Sequence, residues 1–270
     1  MKKQAYLFIG IFFLFIGTLF SQDFQGIAIY QTKQVVNLTM DSTKTDFSQQ
    51  QAIQEMLQKQ FEKVYELKFN KTESFYKEEE QLDKPEVSSG GLTITIAGDR
   101  SKLYKNTQTE TFVNSRDLMG KQFLISDRME KTDWKLENES KIIGNYTCYK
   151  ATAVETYEDV EFKTGKKEVK TKNIIAWYTP EIPVTHGPDK YYGLPGLIME
   201  MIVGKKMYLC NKLILNPEKK IEFEIPKKGK KVTQIEFDKI SEKKQKEMIE
   251  KFSSGRKKGN GNTIEIKIGG

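Results

Sequence analysis

Histidine and cysteine carry much of the chemistry that enzymes perform, and this chain contains very little of either. His186 is the only histidine, and Cys148 and Cys210 are the only cysteines, among 270 residues. A Ser-His-Asp or Cys-His arrangement would have to use His186, and the chain has no Gly-x-Ser-x-Gly elbow to accompany it. A zinc site built from several histidines is impossible. The sequence therefore predicts neither a nucleophilic triad nor a metal centre.

Carboxylate pairs and phosphate-binding loops give no clearer signal. The chain has 37 acidic residues, so pairs such as Glu155 with Glu158 do not stand out as the acid and base of a hydrolase. The glycines at 90–91 and 255–261 lack the strand-to-helix context of a phosphate loop. We therefore expect a protein without enzymatic activity and without a cofactor, and we keep a hydrolase as the less favoured alternative.

The N-terminus has the three parts of a secretory signal peptide. Lys2 and Lys3 precede an apolar run over residues 5–20, and Ser21 is a small residue before a cleavage point at Gln22. The run is shorter than the ~20 residues of a spanning helix, and no later segment is apolar for long enough to cross a membrane. We expect residues 1–21 to be removed and residues 22–270 to form one exported domain, in the periplasm, on the periplasmic face of the outer membrane, or outside the cell.

Charge and cysteine usage narrow the partners and the redox state. The net charge is +7, but the lysine clusters lie at glycine-containing turns without interleaved aromatic residues, so we expect no nucleic-acid binding. Cys148 and Cys210 both lie in apolar strand patterns. In an oxidising compartment two thiols more often pair than stay free, which favours a disulfide. Two buried, reduced cysteines are the alternative.

Hydrophobic periodicity predicts a protein that is mainly β, of the α+β class. Apolar and polar residues alternate with a period of two in many short runs separated by turn residues, the pattern of an antiparallel meander with one wet face. Spacing of 3.6 residues predicts helices at 48–64 and 241–253. The first two predicted strands cover 24–36 and 65–76. The later ones cover 92–97, 101–104, 110–114, 122–126, 133–137, 146–155, 168–178, 197–203, 206–215, 220–225, 232–237 and 263–268. We expect a curved antiparallel sheet or half-barrel with one or two helices covering its concave side.

Two hairpins are specific enough to predict a register. One joins residues 160–163 to 168–172 through a turn at 164–167. The other joins 197–203 to 206–215 across Gly204 and Lys205, a two-residue loop that suits a type I′ or II′ turn. This second hairpin places Ile202 opposite Met207, Glu200 opposite Leu209, and Met199 opposite Cys210.

A hexapeptide between these hairpins carries a family resemblance. Residues 193–198 read Gly193, Leu194, Pro195, Gly196, Leu197 and Ile198. This segment resembles the motif after which GLPGLI family proteins are named, and the runs at 141–151, 176–179 and 187–188 follow in the order typical of that family. The resemblance implies an exported protein of a Gram-negative envelope, often encoded near TonB-dependent outer-membrane receptors, with no established activity and no catalytic residues to transfer.

The hexapeptide itself admits two interpretations. Pro195 and Gly196 fit the central positions of a type II turn, so the motif can be a packing device. Rigid aromatic side chains beside it can instead line a groove for a ligand or a partner. Under this second hypothesis one ring of each adjacent tyrosine or tryptophan pair is exposed and His186 lies at the rim of the groove. The candidate binding residues are Trp177, Tyr178, His186, Tyr191, Tyr192 and Leu194.

Three classes of function remain at this stage. A cleft between sheet and helices would favour an apolar ligand, so a non-catalytic periplasmic carrier or a binding protein associated with an outer-membrane receptor is the leading hypothesis. A structural or assembly factor that binds another envelope protein through residues 177–198 comes second. A hydrolase comes third.

Overall fold

The computed structural model describes residues 24–35, 51, 54–55, 58–59, 61–79, 87–89, 92–94, 100–160 and 167–255. The predicted signal peptide and the predicted strand at 263–268 lie outside these residues. Within the described part the strands and the helix are β1 (Gln25–Gln34), β2 (Lys63–Asn70), β3 (Glu73–Glu78), β4 (Val87–Ser89), β5 (Leu92–Ile94), β6 (Lys102–Asn106), β7 (Thr111–Leu118), β8 (Lys121–Arg128), β9 (Lys135–Ile143), β10 (Tyr146–Val160), β11 (Lys167–Thr179), β12 (Leu197–Val203), β13 (Lys206–Leu215), β14 (Lys230–Val232) and α1 (Gln234–Gly255).

Twelve of these strands form one sheet, in the order β14-β8-β7-β6-β3-β2-β1-β13-β12-β11-β10-β9, and β4 pairs with β5 separately. Neighbouring strands of the large sheet are antiparallel except β14 and β8, which are parallel. Strand β1 shows that only one face of the sheet is buried. Gly26, Ala28, Tyr30 and Thr32 are buried, while the residues between them are partly exposed. This period of two confirms the prediction of a mainly β protein with a curved antiparallel sheet.

The helices differ from the prediction in position. Residues 51, 54–55, 58–59 and 61 are helical, and the rest of the predicted 48–64 helix lies outside the described residues. Helix α1 begins before the predicted residue 241 because Thr233 and Glu236 form a capping box. The Glu236 amide donates to Thr233 Oγ1 at 3.2 Å, and the Thr233 amide donates to Glu236 Oε2 at 2.8 Å. The same box shows that the predicted strand at 232–237 is wrong beyond Val232.

The predicted strand at 220–225 is also wrong. Its alternating sequence suits a strand, but none of the described strands pairs with its backbone. The side chain of Gln25 forms hydrogen bonds with this backbone instead. Its Oε1 accepts from the Ile221 amide at 2.9 Å, and its Nε2 donates to the carbonyls of Pro217 and Lys219. The segment therefore crosses the end of β1 as irregular chain.

The second predicted hairpin is present and the first is displaced. Strand β10 pairs with β11 from Tyr149 opposite Tyr178 to Val160 opposite Lys167, so Lys167 lies in a strand and not in the predicted turn at 164–167. Strands β12 and β13 pair with Ile202 opposite Met207 and with Glu200 opposite Leu209, as predicted, but this pairing ends at Glu200, so the predicted pairing of Met199 with Cys210 is wrong. Gly204 has φ of +57° and Lys205 has no positive φ, which identifies the type II′ form of the predicted turn.

The sheet is strongly curved around the segment 180–196, which we call the core loop. The backbone carbonyl of Tyr191 accepts from Lys105 on β6 at 3.1 Å, and the hydroxyl of Tyr191 donates to Glu155 on β10 at 2.9 Å. Strands β6 and β10 are separated by seven spacings in the sheet order, roughly 33 Å on a flat sheet. One tyrosine can bond to both only because the sheet wraps around the core loop.

The core loop, rather than a helix, fills the middle of the buried face. Ile182, Val184 and His186 are buried and alternate with exposed residues, so this stretch lies extended across the sheet. The hydroxyl of Tyr30 on β1 donates to the Ile198 carbonyl at 2.6 Å. Helix α1 instead packs on β8 near one edge, where the rings of Phe237 and Phe123 meet at 5.4 Å.

The hexapeptide does not form the predicted type II turn. The Gly196 amide donates to the Leu194 carbonyl at 2.8 Å, which places Pro195 at the centre of a three-residue γ-turn. Gly196 has φ of +158° rather than the value near +80° of a type II turn. A Cβ atom on Gly196 would lie 2.2 Å from the carbonyl oxygen of Thr179. The glycine is required because two backbone segments touch here.

Replacing Gly196 with Ala is expected to lower the free energy of unfolding by about 3 kcal/mol, because the new methyl group overlaps the rigid Thr179 backbone. Gly144→Ala is the matched control: Gly144 has φ of +60°, but a methyl group added there would meet nothing within 4 Å, so strain alone of about 1 kcal/mol is expected. Urea denaturation of both variants measures the difference. Equal losses would show that backbone strain, and not the close approach, accounts for the glycine.

Candidate functional site

A buried lysine holds the core loop in place. Lys105 on β6 is 1% exposed. Its ammonium group donates hydrogen bonds to the backbone carbonyls of Gly187 at 3.2 Å, Tyr191 at 3.1 Å, and Asp189. An ammonium group has three donors, so all three are used within the protein. Burial lowers the pKa of Lys105 to about 7, and the nearby Asp189 carboxylate opposes that shift. The bend of the core loop at 187–191 therefore depends on one side chain.

His186, the single histidine, lies next to this bend and is 0% exposed. Its Nε2 atom is 3.0 Å from the Asn70 carbonyl, which requires a hydrogen on Nε2, and its Nδ1 atom has no hydrogen-bond partner within the described residues. Burial and the Lys105 ammonium lower the pKa of His186 to about 3, although the bond to Asn70 opposes the shift. His186 is thus a neutral core residue. The prediction that it lies at the rim of a groove is wrong.

The remaining aromatic candidates do not form an exposed groove either. Tyr178, Tyr191 and Tyr192 are buried, and so is Leu194. Trp177 is partly exposed, with the Lys141 ammonium 4.4 Å from the centre of its ring. The prediction that each pair has one exposed ring is wrong for Tyr191 and Tyr192, because both residues of this pair are buried. In the hexapeptide Leu194, Gly196, Leu197 and Ile198 are buried, whereas Gly193 and Pro195 are exposed.

The predicted disulfide is absent from the structure. Cys148 and Cys210 are both free, buried thiols. They lie on β10 and β13, which are not neighbouring strands in the sheet order, and no bond joins the two sulfur atoms. Burial raises the pKa of Cys148 to about 11 and that of Cys210 to about 12. This is the buried, reduced alternative, and neither thiol has the character of a nucleophile.

A charged cluster lies where the core loop meets β10 and β11. Glu155 accepts from the hydroxyl of Tyr191 at 2.9 Å and from the Lys190 ammonium, and it lies 3.5 Å from the Lys172 ammonium. The pKa of Glu155 is lowered, because these donors outweigh the opposing effect of its burial. The cluster fixes the outer side of the core loop as Lys105 fixes the inner side.

Between these two anchors lies a cavity of about 230 Å³. A second, smaller cavity of about 40 Å³ shares Asp189 and Lys206 with it as lining residues. We call the two together the Asp189 groove. The larger cavity is lined by Gln34, Lys172, Asp189, Lys190, Tyr191, Val203, Lys205, Lys206 and Tyr208. The smaller cavity is lined by Tyr65, Tyr76, Ser101, Leu103, Asn114, Asp189 and Lys206.

Two buried polar atoms beside the smaller cavity lack a hydrogen-bond partner within the described residues. They are the hydroxyl of Tyr76 and Oδ1 of Asn114. Tyr76 is 5% exposed, and burial, with the Asp189 carboxylate as the next cause, raises its pKa well above the ordinary value, so its hydroxyl stays neutral. A buried, unpaired polar group is costly in a folded protein. Both residues line the smaller cavity.

Sequence reasoning missed this groove almost entirely. Its residues come from β1, β2, β3, β6, β7, β11, β12, β13 and the core loop, and the lysines among them resemble ordinary surface residues in the sequence. One signal was present: Lys105 follows Leu103 by two positions in a strand, so alternation places a lysine on the buried face beside a core leucine. A buried lysine requires acceptors, which predicts a polar site nearby.

Comparisons with known proteins place these features in a wider group without assigning an activity. The sequence profile of Porph_ging, described as a protein of unknown function, matches residues 134–200, which include Glu155 and the whole core loop. No curated protein matches the sequence. Within the described residues, no helix is long and apolar enough to cross a membrane.

Two solved structures of PNGF-II, in the C2 and P21 space groups, resemble the fold. Their TM-scores are 0.50 and 0.48, with 13% and 12% sequence identity over 82% and 80% of this chain. The alignment covers 33% and 32% of those chains, so the present chain spans about a third of the length of PNGF-II. At this identity the likeness concerns the fold alone.

Replacing Lys105 with Met is expected to lower the free energy of unfolding by roughly 3 kcal/mol or more, because three buried carbonyls lose their donor. Lys102→Met on the same strand is the control: its ion pair with Glu224 is 3.9 Å long and exposed, so a change within about 0.5 kcal/mol is expected. Chemical denaturation distinguishes the two. Similar midpoints for both variants would contradict the role assigned to Lys105.

The single histidine allows a direct test of the buried site by proton NMR. The imidazole signals of His186 should not shift between pH 8 and 5 in the folded protein, because its pKa is about 3. The unfolded chain takes up a proton near pH 6.5 and the folded chain does not. The unfolding free energy of the wild type should therefore fall, relative to His186→Gln, as the pH drops from 6.5 to 3. A folded-state titration near pH 6.5 would show that the ring is accessible.

Proposed function

We propose that this chain is an exported, non-catalytic binding protein of a Gram-negative envelope and that the Asp189 groove is its ligand site. The observation that carries the proposal is the groove itself. It comprises a cavity of about 230 Å³ and a second cavity lined by Tyr76 and Asn114, whose buried polar atoms have no partner in the described chain. Cavities with a few convergent polar groups are the usual form of small-molecule sites.

The state of the reactive side chains favours binding over catalysis. A general base must reach the proton that it abstracts, but His186 is buried, and its Nε2 bonds to a backbone carbonyl. A cysteine nucleophile needs an accessible thiolate, but Cys148 and Cys210 are buried thiols with raised pKa values. None of the three residues lines the Asp189 groove.

The packing of the core loop favours a polar ligand over the apolar ligand expected from the sequence. Ile182, Val184 and Leu194 belong to the same apolar cluster as Ala28 and Leu67 on the sheet, so the protein's own chain occupies the space between the curved walls. The groove lies beside this cluster and presents lysine, tyrosine and asparagine side chains. A carrier of a long acyl chain would need an apolar cavity, whereas lysines and Asp189 line the larger cavity of the groove.

A second candidate, docking on another envelope protein such as an outer-membrane receptor, has one specific observation in its favour. Strands β9 to β11 at one edge of the sheet carry exposed apolar side chains. They include Ile142, Val169 and Val154, which are 77%, 72% and 66% exposed. The strand register spreads these residues along the edge, with Ile142 opposite Thr147 and Val169 opposite Glu158. Exposed apolar side chains on edge strands can contribute to an interaction surface.

Native mass spectrometry of the exported protein separates these functions. The chain would be produced with residues 1–21 in a Gram-negative host and purified from the periplasm under native conditions. The expected mass begins at Gln22 and includes one small molecule that is lost on unfolding. The double variant Lys190→Gln and Lys205→Gln should lose this molecule, whereas Ile142→Lys with Val154→Lys should keep it.

Two outcomes would overturn the proposal. A stoichiometric protein partner without any small molecule, lost in the Ile142→Lys and Val154→Lys variant, would assign the chain to the docking function. Protein that stays in the cytoplasm with residues 1–21 attached would remove export from the proposal.

A further inference from the structure

The two cavities of the Asp189 groove share Asp189 and Lys206 but offer different chemistry. The larger cavity is lined by four lysines, Lys172, Lys190, Lys205 and Lys206, and by the single carboxylate of Asp189. Glu155 bonds to Lys190 and pairs with Lys172 beside it. Lysines therefore outnumber carboxylates in and beside this cavity, which favours the binding of an anion.

Some of this positive charge is already held in place by aromatic rings. The Lys206 ammonium lies 4.6 Å from the centre of the Tyr208 ring and 5.6 Å from that of Tyr65. Lys190 lies 5.6 Å from the ring of Tyr191. Ring contacts and the bonds to Glu155 restrict the lysine side chains, which lowers the entropy lost when an anion binds between them.

The smaller cavity is suited to a hydroxyl group. The hydroxyl of Tyr76 can donate or accept, and Oδ1 of Asn114 accepts; neither has a partner in the described part of the chain. The Tyr76 ring is held in a stack with Tyr65, with centres 4.9 Å apart and planes 4° apart. A donor from Tyr76 and an acceptor from Asn114 match an alcohol, which is itself both donor and acceptor.

We infer that the ligand of the Asp189 groove is a compact hydroxylated anion, a sugar acid or a sugar phosphate. Its anionic group lies among the lysines of the larger cavity, and one of its hydroxyl groups bonds to Tyr76 and Asn114 in the smaller cavity. This inference rests on the proposed binding function and specifies its ligand. The size agrees, because about 230 Å³ is below the ~300–1,000 Å³ typical of pockets for drug-sized ligands.

Isothermal titration of the exported, ligand-stripped protein with four probes tests both halves of the inference. The probes are glucose 6-phosphate, galacturonate, glucose and inorganic phosphate. At least one of the two sugar anions should bind ten times or more tightly than both glucose and phosphate. Its affinity should fall as salt is added, because the lysines attract its charge.

A pair of matched tyrosine variants isolates the hydroxyl contact. Tyr76→Phe removes only an unpaired buried hydroxyl, so the melting temperature should stay the same or rise, while the affinity for the sugar anion falls by about five- to tenfold. Tyr192→Phe is the control, since the Tyr192 hydroxyl is also buried and unpaired in the described chain but lines neither cavity. It should leave the affinity unchanged.

The remaining outcomes each decide against the inference in a different way. Equal binding of phosphate and glucose 6-phosphate, unchanged in Tyr76→Phe, would reduce the groove to a plain anion site. Binding of glucose as tight as that of the sugar anions would remove the anionic requirement. If no probe binds although a small molecule leaves the native protein on unfolding, the ligand class is wrong and the binding function stands. If no small molecule is found either, both fail.

Discussion

The fold depends on a hydrogen-bond donor for three backbone carbonyls that are buried away from water. The core loop crosses the buried face of the sheet, and at its bend the carbonyls of Gly187, Asp189 and Tyr191 point inward, where no strand can bond to them. The ammonium group of Lys105 satisfies all three at once. Burying a charge is unfavourable, and leaving three buried acceptors unpaired is also unfavourable. The three hydrogen bonds between Lys105 and these carbonyls offset both costs. Because this bend carries Asp189, the same contact positions the floor of the groove.

Close contact between backbone segments adds a second constraint. At Gly196 the hexapeptide touches the Thr179–Pro180 peptide, and nothing larger than a hydrogen atom fits between them. The γ-turn at Pro195 brings the chain to this contact and directs Leu197 into β12. The hexapeptide thus connects the core loop to the sheet. Lack of space for a side chain explains Gly196, whereas Gly193 has a φ of +96° that favours glycine.

The sequence was informative where structure follows from local rules. Alternation with a period of two identified the sheet, and the Gly204-Lys205 loop predicted a register that was correct at Ile202 and Glu200. It failed where side chains replaced backbone partners, as when Gln25 held residues 217–221 and when the Thr233 box began a helix early. The groove was out of reach because its walls come from strands far apart in the sequence. Only Lys105, a lysine in a core position, pointed to it.

The place of β1 in the sheet has a consequence for how the molecule acquires its structure. This strand lies between β2 and β13, so Gly26 pairs with both Phe69 and Leu215. The pairing with β13 joins the first described strand to a strand about 180 residues later in the sequence. Proteins dominated by contacts between residues distant in sequence fold slowly, because a large loop must close before those contacts form. Until β13 pairs with it, β1 has one open edge with unpaired backbone groups.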